Sequence, residues 1–495
     1  MLLLYIEPII KPIMKGIFAP VLLLICFLQV NCKSKEIMVP NTSNNPTDGS
    51  VSVWLTTHSG GLKMVKSPLQ LKLQSKTTAD VNIDLDLSQT KQEMEGFGAA
   101  VTGSSAYVLM THLGATQRAQ ILKDLFDTKD GIGLGYVRLT MGASDFSLQN
   151  YTYNDIPNGQ TDMLQTSFSI AQEETNLIPL LKEILAINPN LKIMGSPWSA
   201  PVWMKSNKSF TNGGKVDTAY YSAYALYFVK YIQAFKQNGI LIDAITIQNE
   251  PLYAAPYMST EMSAEAQALF IKSYLGPAFA ANSITTKIII YDHNWDRPDY
   301  PLSILADADA RKYVSGTAFH CYGGNVSAMS QVMTQYPDKG IYFTECSGGD
   351  FSTDFGNNLA WNSENLLIGS PRNGAKTVLF WNLALDENHG PKNGGCADCR
   401  GVITVNSSTK FIDKNVEYYV LGHSSKLLQA HALKLQTADT RSLGLSQVAY
   451  LNPDGTKVVV AYNHQATALK LQVNIGSQSY SYSLESGALV SFKWQ

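Results

Sequence analysis

The stretch Ala244-Ile-Thr-Ile-Gln-Asn-Glu-Pro251 is a short apolar run that ends in a carboxylate. Such a run is too brief for a helix and suits a strand buried on both faces, as in parallel sheets. Its charge comes last, and a buried carboxylate is costly unless it is paired or at work. Ile341-Tyr-Phe-Thr-Glu345 repeats the form.

Working outward, six more apolar runs alternate with helical stretches: Met94–Ala100, Tyr136–Met141, Leu191–Ser196, Lys287–Tyr291, Thr317–Tyr322 and Thr377–Leu383. Between them lie segments such as Tyr220–Gln237, where Tyr224, Phe228, Tyr231 and Phe235 form one apolar face that reads as core packing. Eight strand–helix units predict an α/β fold, a (β/α)8 TIM barrel over residues 93–428. The strand ends of such a barrel converge on one face, where active sites form. Here Arg138 and Asp145, Trp198, Asn249 and Glu250, His320 and Tyr322, Glu345, and Trp381 and Asn382 all follow strands. A solvent-exposed rim explains one or two of these, not the set.

The flanks alternate with strand periodicity, as in Val81-Asn-Ile-Asp-Leu and Val458-Val-Val-Ala-Tyr, with Asn452-Pro-Asp-Gly-Thr as a hairpin turn. Residues 51–92 and 429–495 therefore predict one β-sandwich built from both chain ends. Residues 1–32 read as a signal peptide: Lys11 and Lys15 precede the apolar run Ile17–Val30, and Met14 offers a second start. Cys32 directly after that run resembles the lipid-acceptor site of a bacterial lipoprotein, and residues 33–50 read as a flexible tether. The expected location is outside the cytoplasm, in the periplasm or at the cell surface, with Cys32 a candidate anchor to the outer membrane.

The 495 residues carry 38 basic and 40 acidic side chains, which argues against a nucleic-acid partner. Hydrophobic residues are 45% and charged ones 16%, enough apolar content for a large core. Cys396-Ala-Asp-Cys399 is half a zinc site without a second half, so a small-loop disulfide is expected in an exported chain. His293 and His320 lack metal-ligand spacing and read as sugar contacts or rim residues. No metal and no cofactor are expected. Gly422-His-Ser-Ser-Lys426 lacks the last glycine of a serine-hydrolase elbow, and Gly131-Ile-Gly-Leu-Gly has the wrong spacing for a dinucleotide loop.

Two glutamates on strands four and seven suit glycoside hydrolysis. Retaining glycosidases hold two carboxyl groups about 5–5.5 Å apart: one attacks the anomeric carbon, the other protonates the leaving oxygen. Asn249 is placed to bond the sugar 2-hydroxyl, and Tyr322 to orient Glu345 if strands six and seven are neighbours.

Residues from about 80 to 493 resemble glycoside hydrolase family 30, the glucosylceramidase and β-1,6-glucanase group. Gly96-Phe-Gly-Ala-Ala-Val-Thr102, Gly131-Ile-Gly-Leu-Gly-Tyr-Val-Arg138, Ser144-Asp-Phe-Ser147 and Ser196-Pro-Trp-Ser-Ala-Pro-Val-Trp203 carry the resemblance, followed by Gln248–Pro251, His320–Tyr322, Thr344–Cys346, Trp381–Leu385 and Gly422–Lys426. It implies a barrel with an attached sandwich, retention of configuration, Glu250 as acid/base and Glu345 as nucleophile. It also implies that Trp198, Asn249, Tyr322 and Trp381 line the first glucose site. Gly103 stands where lysosomal-type glucosylceramidases carry an Asp that is expected to hold outer glucose hydroxyls. The block Cys396–Gly401 also differs from the glucosylceramidase loop, and both changes are similar to the β-1,6-glucanase branch. Arg400 is a candidate substrate contact or a structural salt bridge. The expected activity is retaining hydrolysis of β-linked glucosides, β-1,6-glucan ahead of glucosylceramide. The competing reading is a non-catalytic sugar-binding lipoprotein, which has no need of two barrel-end glutamates.

Overall fold

The computed structural model describes residues 49–495. The expected leader, Cys32 and nearly all of the tether lie outside the described residues. Eight parallel strands close a barrel in chain order: β1 (Gly96–Val101), β2 (Tyr136–Thr140), β3 (Lys192–Ser196), β4 (Ala244–Thr246), β5 (Lys287–Asn294), β6 (Val314–His320), β7 (Gly340–Glu345) and β8 (Ala375–Phe380). These are the eight anticipated runs with shifted ends. β4 stops short of Gln248 because the chain turns toward its neighbours: Asn249 N–H donates to the Pro197 carbonyl and Glu250 N–H to the Asp292 carbonyl, both at 2.9 Å.

Side-chain alternation builds the interior. Tyr136, Met194, Ala244, Ile289, Ala318, Tyr342 and Leu379, one from each of β2 to β8, form a single buried apolar cluster. Two residues further along, the same face of each strand presents Arg138, Ser196, Thr246, His320, Thr344 and Trp381. On β5 that position belongs to Tyr291, but the register with β6 slips between Tyr291 and His293. Tyr291 and Asp292 there take φ of 70° and 66°, and the bulge delivers Asp292 to the interior instead. A polar ring thus stands on an apolar plug.

Both chain ends build the sandwich. Ser50–Thr56 pairs antiparallel with Leu489–Trp494, and Val81–Leu85 runs parallel to Leu469–Ile475. The hairpin at Asn452 joins Leu445–Leu451 to Lys457–Asn463, with Gly455 at φ 83° closing the turn. The run at Leu69–Leu73 is largely irregular, with only Leu71–Lys72 as a strand, because most of it is exposed. The helix Val416–Ser425 fastens the sandwich to the barrel: buried His423 bonds the Thr56 hydroxyl at 2.8 Å and the Ser491 hydroxyl at 2.7 Å.

Candidate active site

Arg138 organises the polar ring. Its Nη1 donates to Glu345 at 2.5 Å, Nη2 to Asp292 and Asn249 at 2.7 Å each, and Nε to Ser196 at 3.1 Å. Asp292 also accepts from the Thr246 and Thr344 hydroxyls at 2.7 Å and meets His320 Nε2 at 3.0 Å. Charges this deeply buried survive only when they are paired and hydrogen-bonded, as these are. The guanidinium lies 4.8 Å from the Trp198 ring centre, and Trp198 stacks on Trp381 at 5.0 Å.

The two glutamates meet above this ring. Glu345 ends β7, where its second oxygen accepts from the Tyr322 hydroxyl at 3.0 Å. Glu250 sits just past β4 at φ 46°, a left-handed conformation that a non-glycine residue holds only when its surroundings dictate it. Its carboxylate faces His320 Nδ1 at 3.1 Å. A Glu250 oxygen, a Glu345 oxygen and a His320 nitrogen lie within 4.8 Å of one another. That spacing suits direct attack by one carboxylate; an attacking water between them needs about 6.5–9.5 Å. The trio also has the donor atoms of a metal site, but His320 spends both nitrogens on carboxylates and Arg138 already neutralises Glu345.

Both glutamates line a cleft of about 1050 Å³ with Asp145, Tyr322 and Trp381. Two disulfides stand in its wall. Cys396–Cys399 is the expected small loop. Cys321–Cys346, which the sequence did not announce, joins the residues directly after His320 and Glu345 and so ties the end of β6 to that of β7.

Charge balance decides where the proton sits. Burial alone lowers the His320 imidazole, but Glu345 and Asp292 outweigh it and hold it up to about 9, so both ring nitrogens donate at neutral pH. Burial opposes ionisation of Asp292 as well, yet Arg138 and His320 keep it far below the usual carboxylate range. For Glu250, burial pushes up while the His320 hydrogen bond and charge pull down and prevail. For Glu345, burial prevails over the His320 and Arg138 charges and pushes up. Glu345 accepts from Arg138 and Tyr322, whereas Glu250 has His320 alone. Three carboxyl groups face two cations, so one proton between Glu250 and Glu345 makes the cluster neutral.

The family model for the glycosyl hydrolase family 30 TIM-barrel domain matches residues 94–428, and that for the family's β-sandwich domain matches residues 431–492. The chain belongs to glycoside hydrolase family 30. It is 36% identical to an endo-1,6-β-D-glucanase of Aspergillus fumigatus over 84% of this chain and 88% of that protein. To the lysosomal acid glucosylceramidase of Mus musculus it is 28% identical over 81% and 80%. A solved endo-β1,6-glucanase superposes with a TM-score of 0.84 at 35% identity, covering 90% of this chain and 99% of that one.

In this family 30 glycoside hydrolase, Glu250, Glu345, Tyr322, Trp381 and Asp145 gather at the cleft. Other expected contacts are placed differently. Trp198 is 2% exposed, stacks on Trp381 and carries the Arg138 guanidinium over its ring. His320 and Arg138 are fully buried and hold the carboxylates rather than facing substrate. Asn249 gives its Oδ1 to Arg138, which leaves its Nδ2 as the end for a sugar hydroxyl. Asn382 is fully buried and accepts from Thr102 at 2.8 Å. Arg400 makes the salt bridge, to Glu417 at 2.9 Å, and does not line the cleft. Asp292 went unselected although Ile288-Ile-Ile-Tyr-Asp292 repeats the apolar-run-then-carboxylate signal that picked out the glutamates.

Proposed function

We propose that this enzyme hydrolyses β-1,6-linked glucan at internal bonds by double displacement, with Glu345 as nucleophile and Glu250 as acid/base. The observation that carries the chemistry is the pair of carboxyl oxygens within 4.8 Å, one fixed by Arg138 and Tyr322, the other beside His320. Glu345 attacks the anomeric carbon while Glu250 gives its proton to the leaving oxygen, forming a glucosyl ester on Glu345. Glu250, now ionised and kept so by His320, takes a proton from water, which breaks that ester with a second inversion. The substrate reading rests on relatives named endo-1,6-β-glucanases at 34–36% identity, above the 28% of the mouse glucosylceramidase.

Gly103 supports the same branch. A Cβ there would lie 3.1 Å from the Ser147 hydroxyl, so the Ser144–Ser147 turn fills the space in which a side chain at 103 would project. That turn carries Asp145 into the cleft, where burial and the Glu345 and Glu250 charges push its carboxyl well up. A carboxyl held there is placed to bond a glucose hydroxyl, the task left open by Gly103.

Export, and acylation of Cys32, belong to the same reading. Two disulfides among the described residues support an oxidising compartment. The experiment that tests the function is product analysis on β-1,6-glucan beside glucosylceramide. Internal oligosaccharides from the glucan are expected, with Glu345→Gln inactive but still binding. Glu250→Gln should impair glucan far more than aryl glucosides, whose leaving groups need little protonation. Release of glucose from glucosylceramide alone overturns the substrate reading.

A further inference from the structure

We infer that the wall of the cleft formed after β4, β6 and β7 is a leaving-group subsite, an aromatic platform on Tyr253, Phe351 and Trp361, and that Arg400 is its positioning residue. This rests on the β-glucan reading above. Among the described residues five aromatic side chains are exposed: Tyr253, Tyr322, Phe351, Trp361 and Phe411. The first four line this one cleft. Uncovered rings gathered in one concavity mark a surface meant to be covered, and flat apolar faces flanked by hydrogen-bonding groups suit sugar rings. Their position sets their role. Asp145 and Trp381, from beyond β2 and β8, form the closed side of the cleft, and both are buried. Tyr253, Phe351 and Trp361, from the segments after β4 and β7, are 42–62% exposed and form its open part. The glucosyl unit that is transferred belongs in the closed side, so the sugars that leave lie on the open one.

The polar groups around the rings suit a neutral occupant. Ser347, Ser352 and Asn357 carry no charge, and the two charges at the mouth, Asp296 and Arg297, are of opposite sign, with the Arg297 guanidinium also paired to Asp299 at 2.8–2.9 Å. An alkyl chain would strip water from these groups without replacing it; a glucan's hydroxyls pair with them.

Arg400 holds the platform in place. Its Nη1 donates to the carbonyls of Gly349 and Ser352 at 3.3 Å, on either side of Phe351, while Nη2 holds Glu417 of the helix Val416–Ser425 at 2.9 Å. Gly348–Gly349 also pairs with Cys399–Arg400 as a short antiparallel ladder. The Phe351 ring lies against Gly349, where a Cβ would collide with it.

The test compares substrates whose leaving groups differ in length: β-glucosyl fluoride, which loses one atom, and β-1,6-linked glucohexaose. For Phe351→Ala and Trp361→Ala, kcat/KM on the hexaose is expected to fall roughly tenfold, as for loss of one good aromatic contact, and by clearly less on the fluoride. Arg400→Ala should raise KM for the hexaose more than it lowers kcat, and Arg400→Lys should restore only part, because an ammonium cannot span two carbonyls and a carboxylate. Equal losses on both substrates, or none on either, overturn the inference. A parent that cleaves the fluoride but no β-1,6-linked oligosaccharide retires the substrate reading alone. The same ratios on β-1,3- and β-1,4-linked hexaoses then decide the platform.

Discussion

Raising the pH through the range where His320 loses its proton is expected to cost this enzyme up to about 3 kcal/mol of stability, which a His320→Gln variant lacks from the start. The ring is fully buried between Asp292 and Glu250, and the carboxylates hold its pKa at about 9 against an ordinary 6.5. At roughly 1.4 kcal/mol per pH unit that gap gives about 3 kcal/mol as an order of magnitude. The sign follows from the raised value. Below about pH 6.5 folded and unfolded chains both carry the proton, and the whole contribution is present. Between 6.5 and 9 the unfolded chain has released it and the folded one has not, so stability drains away; above 9 nothing is left. The assay is urea unfolding at pH steps from about 6 to about 9.5 for parent and variant. The difference between them is the readout, since it removes other groups that titrate in the window, such as Lys205, lowered to about 7 by burial. Parallel curves for the two proteins would refute the reasoning and make His320 neutral. The variant should also move the alkaline limb of the kcat/KM profile upward, because Glu250 loses the cation that pulls its carboxyl down.

Arg138→Lys should lower kcat/KM by at least about a hundredfold and the unfolding free energy by about 3–5 kcal/mol, since an ammonium cannot replace the fork that joins Glu345, Asp292 and Asn249; kinetics and urea midpoints check both. Burial drives His423 down to about 3, the opposite sense from His320, so stability should fall as the pH drops below about 6.5, by up to about 5 kcal/mol near pH 3. His423→Gln should lack this fall, so urea unfolding at pH steps from about 7 to about 3 should show the parent losing stability relative to the variant. Replacing Cys321 and Cys346 together by Ala opens a link across 25 residues and should cost about 3 kcal/mol. Because it frees Tyr322 from Glu345, it should also move the acid limb of the rate profile, which replacing Cys396 and Cys399 should not.

Much of this was written locally. The barrel is legible because each strand is an apolar run bounded by turns, and Glu250 and Glu345 stand out as charges at the ends of such runs. Asp292 carries the same mark, but its inward position depends on a bulge against β6 that no local pattern announces. Roles were harder to read than positions. His320 and Trp198 sit where barrel logic puts them, yet whether they touch substrate or support a neighbour turns on what lies behind them. Asn382 answers to Thr102 across 280 positions, and Glu345 to Arg138 across 207.

The sequence by itself therefore determined the architecture, the family and the two carboxylates, because alternation, burial and the penalty on a lone buried charge are properties of a few adjacent residues. Only the tertiary structure decided which cation neutralises which carboxylate, which rings remain bare to meet sugar, and which cysteines join. Those outcomes depend on distances between remote segments, and a change of an ångström or two there turns a hydrogen bond into a gap.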